Sequence, residues 1–155
     1  MGMNTNSCPY FYLIPGSFKP PHAGHFEMIS HYISLSKKNN GKVIVFVSNP
    51  KKNIRYTGSG GIITAEFSKS KLEEMFGSKI EVRISEVSPV KDCYDFGNNV
   101  EDANITFGCS TKDEDMKRFN SIKKYYSVKY PKISVSVLPF SVKTEISARD
   151  IRMGL

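Results

Sequence analysis

Two histidines, His22 and His25, stand three residues apart in the stretch IPGSFKPPHAGHF, which runs from Ile14 to Phe26 behind a glycine turn and a pair of prolines. At that spacing two side chains can share one face of a helix. Paired imidazoles can follow charge developing on a phosphate with adjustable hydrogen-bond donors, or supply two ligands to a metal, or serve only as surface and packing detail. A zinc site would need a third and usually a fourth ligand, and no well-placed Cys or carboxylate is evident in the sequence. Gly24 lies close to the expected helix start, where a missing side chain lets a ligand approach the backbone. A helix N-terminus also presents unpaired N–H groups and a positive dipole end, which attract phosphate. By itself the stretch leaves these uses open.

The surrounding pattern supplies the elements that would position the pair. YFYLI (Tyr10 to Ile14) and KVIVFV (Lys42 to Val47) are continuous β-branched and aromatic runs, as expected of strands buried on both faces. Between them, GHFEMISHYISLSKK carries Phe26, Ile29, Ile33 and Leu35 near helical spacing and ends in NNG, a helix stop. A second helix is expected from Thr64, as N-cap, to Gly77, with Phe67, Leu72, Met75 and Phe76 largely on one side. KIEVRISEV, NITFGC and ISVSVLPF read as further strands. A short helix is expected between Val90 and Asp102, a basic helix from about Asp113 to Val128, and the start of another in TEISARDIRMGL. Tyr56 to Gly61, YTGSGG, reads as a loop and not as a dinucleotide fingerprint, since it does not follow a strand and open a helix. Alternating strands and helices predict one α/β domain over residues 1–155, with a mostly parallel five-stranded sheet and helices on both faces. Ligands of such domains bind outside the carboxyl ends of the strands.

PGSFKPPHAGH closely resembles the G-x-F-x-P-x-H-x-G-H signature of the nucleotidyltransferase superfamily, and three further segments resemble its motifs in the same order. VSNPKKN is similar to the S/N-P-x-K-K segment of the pantetheine-phosphate branch, ITAE to its T-x-E helix start, and EISARDIR to the I-S-S/A-T-x-I-R motif of the adenylyl-transferring branches. The resemblance spans Ile14 to Arg152. It implies a Rossmann-like, doubly wound fold and an in-line attack by a phosphorylated small-molecule acceptor on the α-phosphate of ATP, with pyrophosphate released. Catalysis of this kind is positioning plus electrostatic stabilisation. By matching positions, His22 and His25 contact the triphosphate, Lys51 or Lys52 neutralises the α-phosphate or the acceptor phosphate, and Gly16, Ser17, Phe18 and Gly24 form the turn and helix start under the nucleotide. Cys109 is placed at the base pocket, with Ser110 beside it. Ser147 caps the last helix with Asp150, so that its N–H groups and Arg152 reach the outer phosphates. Ser17 and Lys19 are the acceptor-side positions. A magnesium ion bridging the phosphates is expected on chemical grounds.

Some positions depart from the family pattern. Lys19 replaces a common aspartate, and Phe67 occupies the neighbourhood of an arginine that often follows the T-x-E start. ISARDIR lacks the R-T-x-G-I-S-T-T form of cytidylyl-transferring relatives, which favours ATP over CTP. The acceptor stays open between phosphopantetheine, suggested by PGSF and NPKK, and nicotinamide mononucleotide, suggested by HAGH and ISARDIR.

Composition agrees with this class. With 39% apolar and 24% charged residues the chain is ordinary for a soluble globular protein, and no apolar run approaches the ~20 residues that cross a bilayer. The N-terminal stretch has no basic region followed by a signal-peptide core, and three widely spaced cysteines, Cys8, Cys93 and Cys109, fit a reducing compartment. A cytoplasmic protein without membrane attachment is expected; whether it forms a homo-oligomer is left open. The formal charge of +7 favours anionic partners. KRFNSIKKYYSVKYPK interleaves lysines with Phe119, Tyr125, Tyr126 and Tyr130, as a strand-tracking nucleic-acid surface would. An amphipathic helix packing those aromatics on the sheet is the favoured reading, so nucleic acid is not the expected partner.

Overall fold

A computed structural model describes residues 8–18, 21–49, 55–56, 62–111, 117, 119 and 121–141. The expected strands and helices follow one another from β1 (Tyr10–Gly16) through α1 (Ala23–Asn39) to β2 (Lys42–Ser48). A two-stranded antiparallel ribbon, β3 (Arg55–Tyr56) with β4 (Ile62–Ile63), precedes α2 (Ala65–Phe76). After a short 3-10 turn come β5 (Glu81–Ser85), α3 (Pro89–Asp95) with a 3-10 extension, β6 (Ala103–Ser110), α4 (Ile122–Lys129) and β7 (Ile133–Phe140).

Five strands form one sheet in the order β5-β2-β1-β6-β7, every pair parallel. Ranked by chain order within this sheet, they run 3-2-1-4-5, which matches the first five strands of the doubly wound arrangement. The β3–β4 ribbon is an addition to that arrangement. Tyr56 belongs to it, so the segment read as a loop from Tyr56 begins on a strand; residues 57–61 lie outside the described residues.

Alternation along the central strands divides the core. Tyr12 and Ile14 of β1, and Val43, Val45 and Val47 of β2, pack with Met28, Ile29, Tyr32 and Ile33 of α1 and Ala65 and Leu72 of α2. Leu13, Ile44 and Phe46 point the other way, into a cluster with Cys93 of α3, Ile105 and Phe107 of β6, and Ile122 and Tyr126 of α4. Both sheet faces are therefore covered by helices, the condition that lets central strands be continuously apolar.

Two expected helices differ in detail. On α2 the buried line is Ala65, Ser68 and Leu72, whereas Phe67 is 41% and Met75 55% exposed. Residues 67, 71 and 75 follow the same helical period on a stripe that flanks the buried line, where Lys71 extends over the Phe67 ring. Among the described residues the basic segment is interrupted: Lys117 is helical, Phe119 lies in a turn, and α4 then runs Ile122–Lys129. Phe119 is buried and stacks on Phe107 with ring centroids 5.7 Å apart, and its carbonyl accepts the Ile122 N–H at 3.2 Å. Burying that ring holds residue 119 in a turn ahead of the helix.

Candidate functional site

Gly16 ends β1 beside Val47, and the chain then turns through Ser17, which is exposed, and Phe18, which is 1% exposed. Phe18 has φ +52°, an uncommon backbone conformation for a bulky residue. Its ring fills the space over Gly16, where a Cβ would meet it at 2.7 Å, and its carbonyl accepts the buried Ser68 hydroxyl of α2. The strained loop is thus held from both sides, a pattern associated with functional sites.

The loop delivers the two histidines to the first turn of α1. His22 is the N-cap, with extended backbone (φ −137°, ψ 179°), and its Nδ1 accepts the Gly24 N–H at 3.1 Å. His25 answers with its own Nδ1, which accepts the His22 N–H at 3.1 Å. This is the logic of a capping box, built from imidazoles in place of a hydroxyl and a carboxylate. The rings stack with centroids 3.8 Å apart and planes 26° from parallel, and the Phe18 ring meets His25 edge-on at 4.7 Å. An Nδ1 that accepts a backbone N–H carries no proton, so each neutral ring bears its hydrogen on Nε2. The cap therefore fixes ring orientation and tautomer together, and makes both Nε2 atoms donors.

The strand ladder opens at the same end. β1 stays paired with β2 as far as Gly16↔Val47, but with β6 only as far as Leu13↔Phe107. Beyond that register β6 continues with β7 alone, to Ser110↔Phe140. The parting lies between the first and fourth sheet strands, where strand order reverses and ligands of doubly wound sheets bind. On the neighbouring strands, Ser48 and Ser85 end β2 and β5 side by side, and the buried Ser85 hydroxyl donates to the Asp92 carboxylate of α3.

Of the residues singled out from sequence, Gly16, Ser17, Phe18, His22, Gly24 and His25 are brought together in one loop and helix turn. Phe18 contributes by packing and by bracing His25. Cys109 has its side chain in the core cluster on the α3–α4 side of the sheet, opposite the face covered by α1, and it reaches α1 through its backbone N–H. Lys19, Lys51, Lys52, Ser147, Asp150 and Arg152 lie outside the described residues. None of the three cysteines is in a disulfide.

Sequence reasoning missed Tyr32. Its ring packs on Gly108 of β6, and its hydroxyl accepts the Cys109 N–H at 3.3 Å and donates to the Leu138 carbonyl of β7. The helix that carries the histidines is thereby tied to β6, which parts from β1, and to β7 beside it. The legible signal was a glycine inside a strand pattern, which marks close approach of another group.

Among the described residues no group of three or more His, Cys, Asp or Glu side chains is placed to hold a metal ion, and no helix is long and apolar enough to cross a membrane. No protein-family model matches the chain, and no curated protein sequence matches it at a significant level.

Proposed function

We propose that the protein is a nucleotidyltransferase that transfers the nucleoside monophosphate of ATP to a phosphorylated small-molecule acceptor. The observation that carries this reading is the reciprocal histidine cap at the N-terminus of α1, beside the opening between β1 and β6. Two Nε2–H donors fixed in one stack, next to the positive end of a helix of 17 residues, form a preorganised site for negative charge. Such donors need no reorganisation as charge grows on the phosphate. The motif resemblance of PGSFKPPHAGH and EISARDIR supplies the reaction type.

In this reading an acceptor phosphate oxygen attacks the α-phosphorus in line, the bond to the β-phosphate oxygen breaks, and pyrophosphate leaves with the electron pair. His22 and His25 stabilise the charge on the transferring phosphate. Lys51 or Lys52 neutralises the α-phosphate or the attacking group, and Arg152 binds the outer phosphates. Among the described residues no group of three or more His, Cys, Asp or Glu is gathered to hold a metal, so magnesium would come with the triphosphate and would neutralise part of its charge. A reducing, cytoplasmic setting belongs to the same proposal.

Pyrophosphate release, measured with ATP and with CTP against a panel of phosphorylated acceptors, tests the reading directly. Turnover with one pair identifies both substrates, and CTP turnover alone would move the protein to the cytidylyl-transferring branch. Absence of release with every pair, from protein that binds neither triphosphate in calorimetry, would refute the proposal.

A further inference from the structure

Where β6 has parted from β1, Gly108, Cys109 and Ser110 pair with β7 alone and form one wall of the opening. Two consecutive side chains of α1 grip this wall. The buried Tyr32 ring lies against Gly108, and its hydroxyl accepts the Cys109 N–H at 3.3 Å and donates to the Leu138 carbonyl, so that one oxygen engages both strands. The half-buried His31 meets the Phe140 ring with centroids 4.6 Å apart and planes 30° from parallel. Phe140 is the residue paired with Ser110 at the end of the ladder.

The other end of the same helix carries the histidine cap. Tyr32 follows His25 by seven residues, two helical turns, which puts both on one side of α1 at a separation of roughly 10 Å along its axis. His25 is fixed by its bond to the His22 N–H and by the Phe18 ring, Tyr32 by β6 and β7. The helix therefore spans the gap between cap and wall as a ruler held at both ends. In-line transfer on a phosphate depends on placement, and a displacement of about 1 Å can cost on the order of a hundredfold in rate. We propose that Tyr32 is a positioning residue: its hydroxyl sets the distance between the histidine donors and the β6–β7 wall, and so the placing of a triphosphate between them, with His31 bracing the strand end through Phe140. This rests on the nucleotidyltransferase reading.

The molecule holds a matched control. Tyr126 is equally buried, and its hydroxyl likewise accepts a backbone N–H, that of Gly97 at 3.2 Å, and donates to a carbonyl, that of Cys93. It ties α4 to α3 and its 3-10 extension on the opposite face of the sheet. Tyr32→Phe and Tyr126→Phe thus remove the same chemical group from the same kind of setting, and a purely structural role would make them alike.

The test is steady-state pyrophosphate release from the full chain and both variants, each shown to be folded by circular dichroism and assayed well below its melting temperature. Tyr32→Phe should lower kcat on the order of tenfold while KM for ATP changes far less, because the donors remain and only their placement is lost. Tyr126→Phe should lose comparable stability and keep kcat within about twofold of the parent. Equal kcat in the two variants, from a parent that turns over, would overturn the positioning role and leave the reaction standing. A parent that releases no pyrophosphate would refute the reaction itself, and the positioning role with it. If Tyr32→Phe does not fold, the half-buried His31→Ala decides: a lower kcat at little-changed KM supports the role, and an unchanged kcat overturns it.

Discussion

Gly108 lies so close under Tyr32 that a Cβ at position 108 would stand 2.6 Å from two carbons of the tyrosine ring. That contact lets a side chain of α1 cross the sheet face and place its hydroxyl between the Cys109 N–H of β6 and the Leu138 carbonyl of β7. Gly108→Ala forces the buried ring to shift and is expected to destabilise the fold by about 1–3 kcal/mol. Tyr32→Phe keeps the packing but withdraws a partner from both backbone groups, again about 1–3 kcal/mol. Urea denaturation of the two variants measures both costs. A neutral Gly108→Ala would mean that the ring has room to move.

The two roles of the histidines can be separated. Asparagine is a good N-cap and glutamine a good third-position partner in a capping box, so His22→Asn and His25→Gln retain the capping bonds without the imidazoles. Each variant should stay within about 1 kcal/mol of the parent in stability while pyrophosphate release falls on the order of a hundredfold. Unchanged kcat in both would confine the imidazoles to helix capping.

Alkaline pH should act through two buried phenols. Burial raises the pKa of Tyr32 and of Tyr126, whose hydroxyl accepts the Gly97 N–H at 3.2 Å and donates to the Cys93 carbonyl. Because the folded values lie above the unfolded one, the stabilisation is complete below the ordinary tyrosine pKa of about 10 and is lost as pH rises beyond it. In a spectrophotometric titration these two phenolates should emerge only together with the loss of far-ultraviolet dichroism. Their ionisation in protein that is still folded would contradict the burial argument.

On the acid side, hydrogen bonds from Arg83 and Lys42 hold the Glu81 carboxyl below its usual range at the β5 edge. A depressed folded pKa stabilises above the unfolded carboxylate value and is lost as pH falls through the folded one. The group is near the surface, so Glu81→Gln should cost only about 0.2–1 kcal/mol at neutral pH and low salt, and less as salt is added. Melting temperatures at two ionic strengths report the difference.

Arg152→Lys keeps the charge but loses the planar fork that grips phosphate oxygens in pairs. It should weaken ATP binding by about 1–2 kcal/mol and leave AMP nearly unaffected. Calorimetric titration with both nucleotides checks this, and equal losses would detach the C-terminal motif from the outer phosphates.

Local chemistry determined much of the architecture. Ile133 to Phe140 reads as a strand from its alternation and is β7 in full; Thr64 reads as a cap, and its Oγ1 accepts the Phe67 N–H at 3.0 Å. NNG reads as a helix stop, and Asn40 ends α1 at φ +55° with Gly41 donating to the Ser36 carbonyl at 2.8 Å. These features depend on a residue and its immediate neighbours, so propensity and periodicity reveal them. The proximity of His22 and His25 to a helix start was legible for the same reason. What tertiary structure decided involves partners far apart in the chain. Which stripe of α2 faces inward, leaving Phe67 and Met75 in solvent, follows from where β2 and β5 lie beneath it. The turn at Phe119 ahead of α4 follows from that ring packing on Phe107, and the fit of Tyr32 over Gly108 joins residues separated by about half of the chain. The parting of β1 from β6 after Leu13 is a property of sheet order, and it sets the histidine cap beside an opening where the sequence shows only a loop followed by a helix.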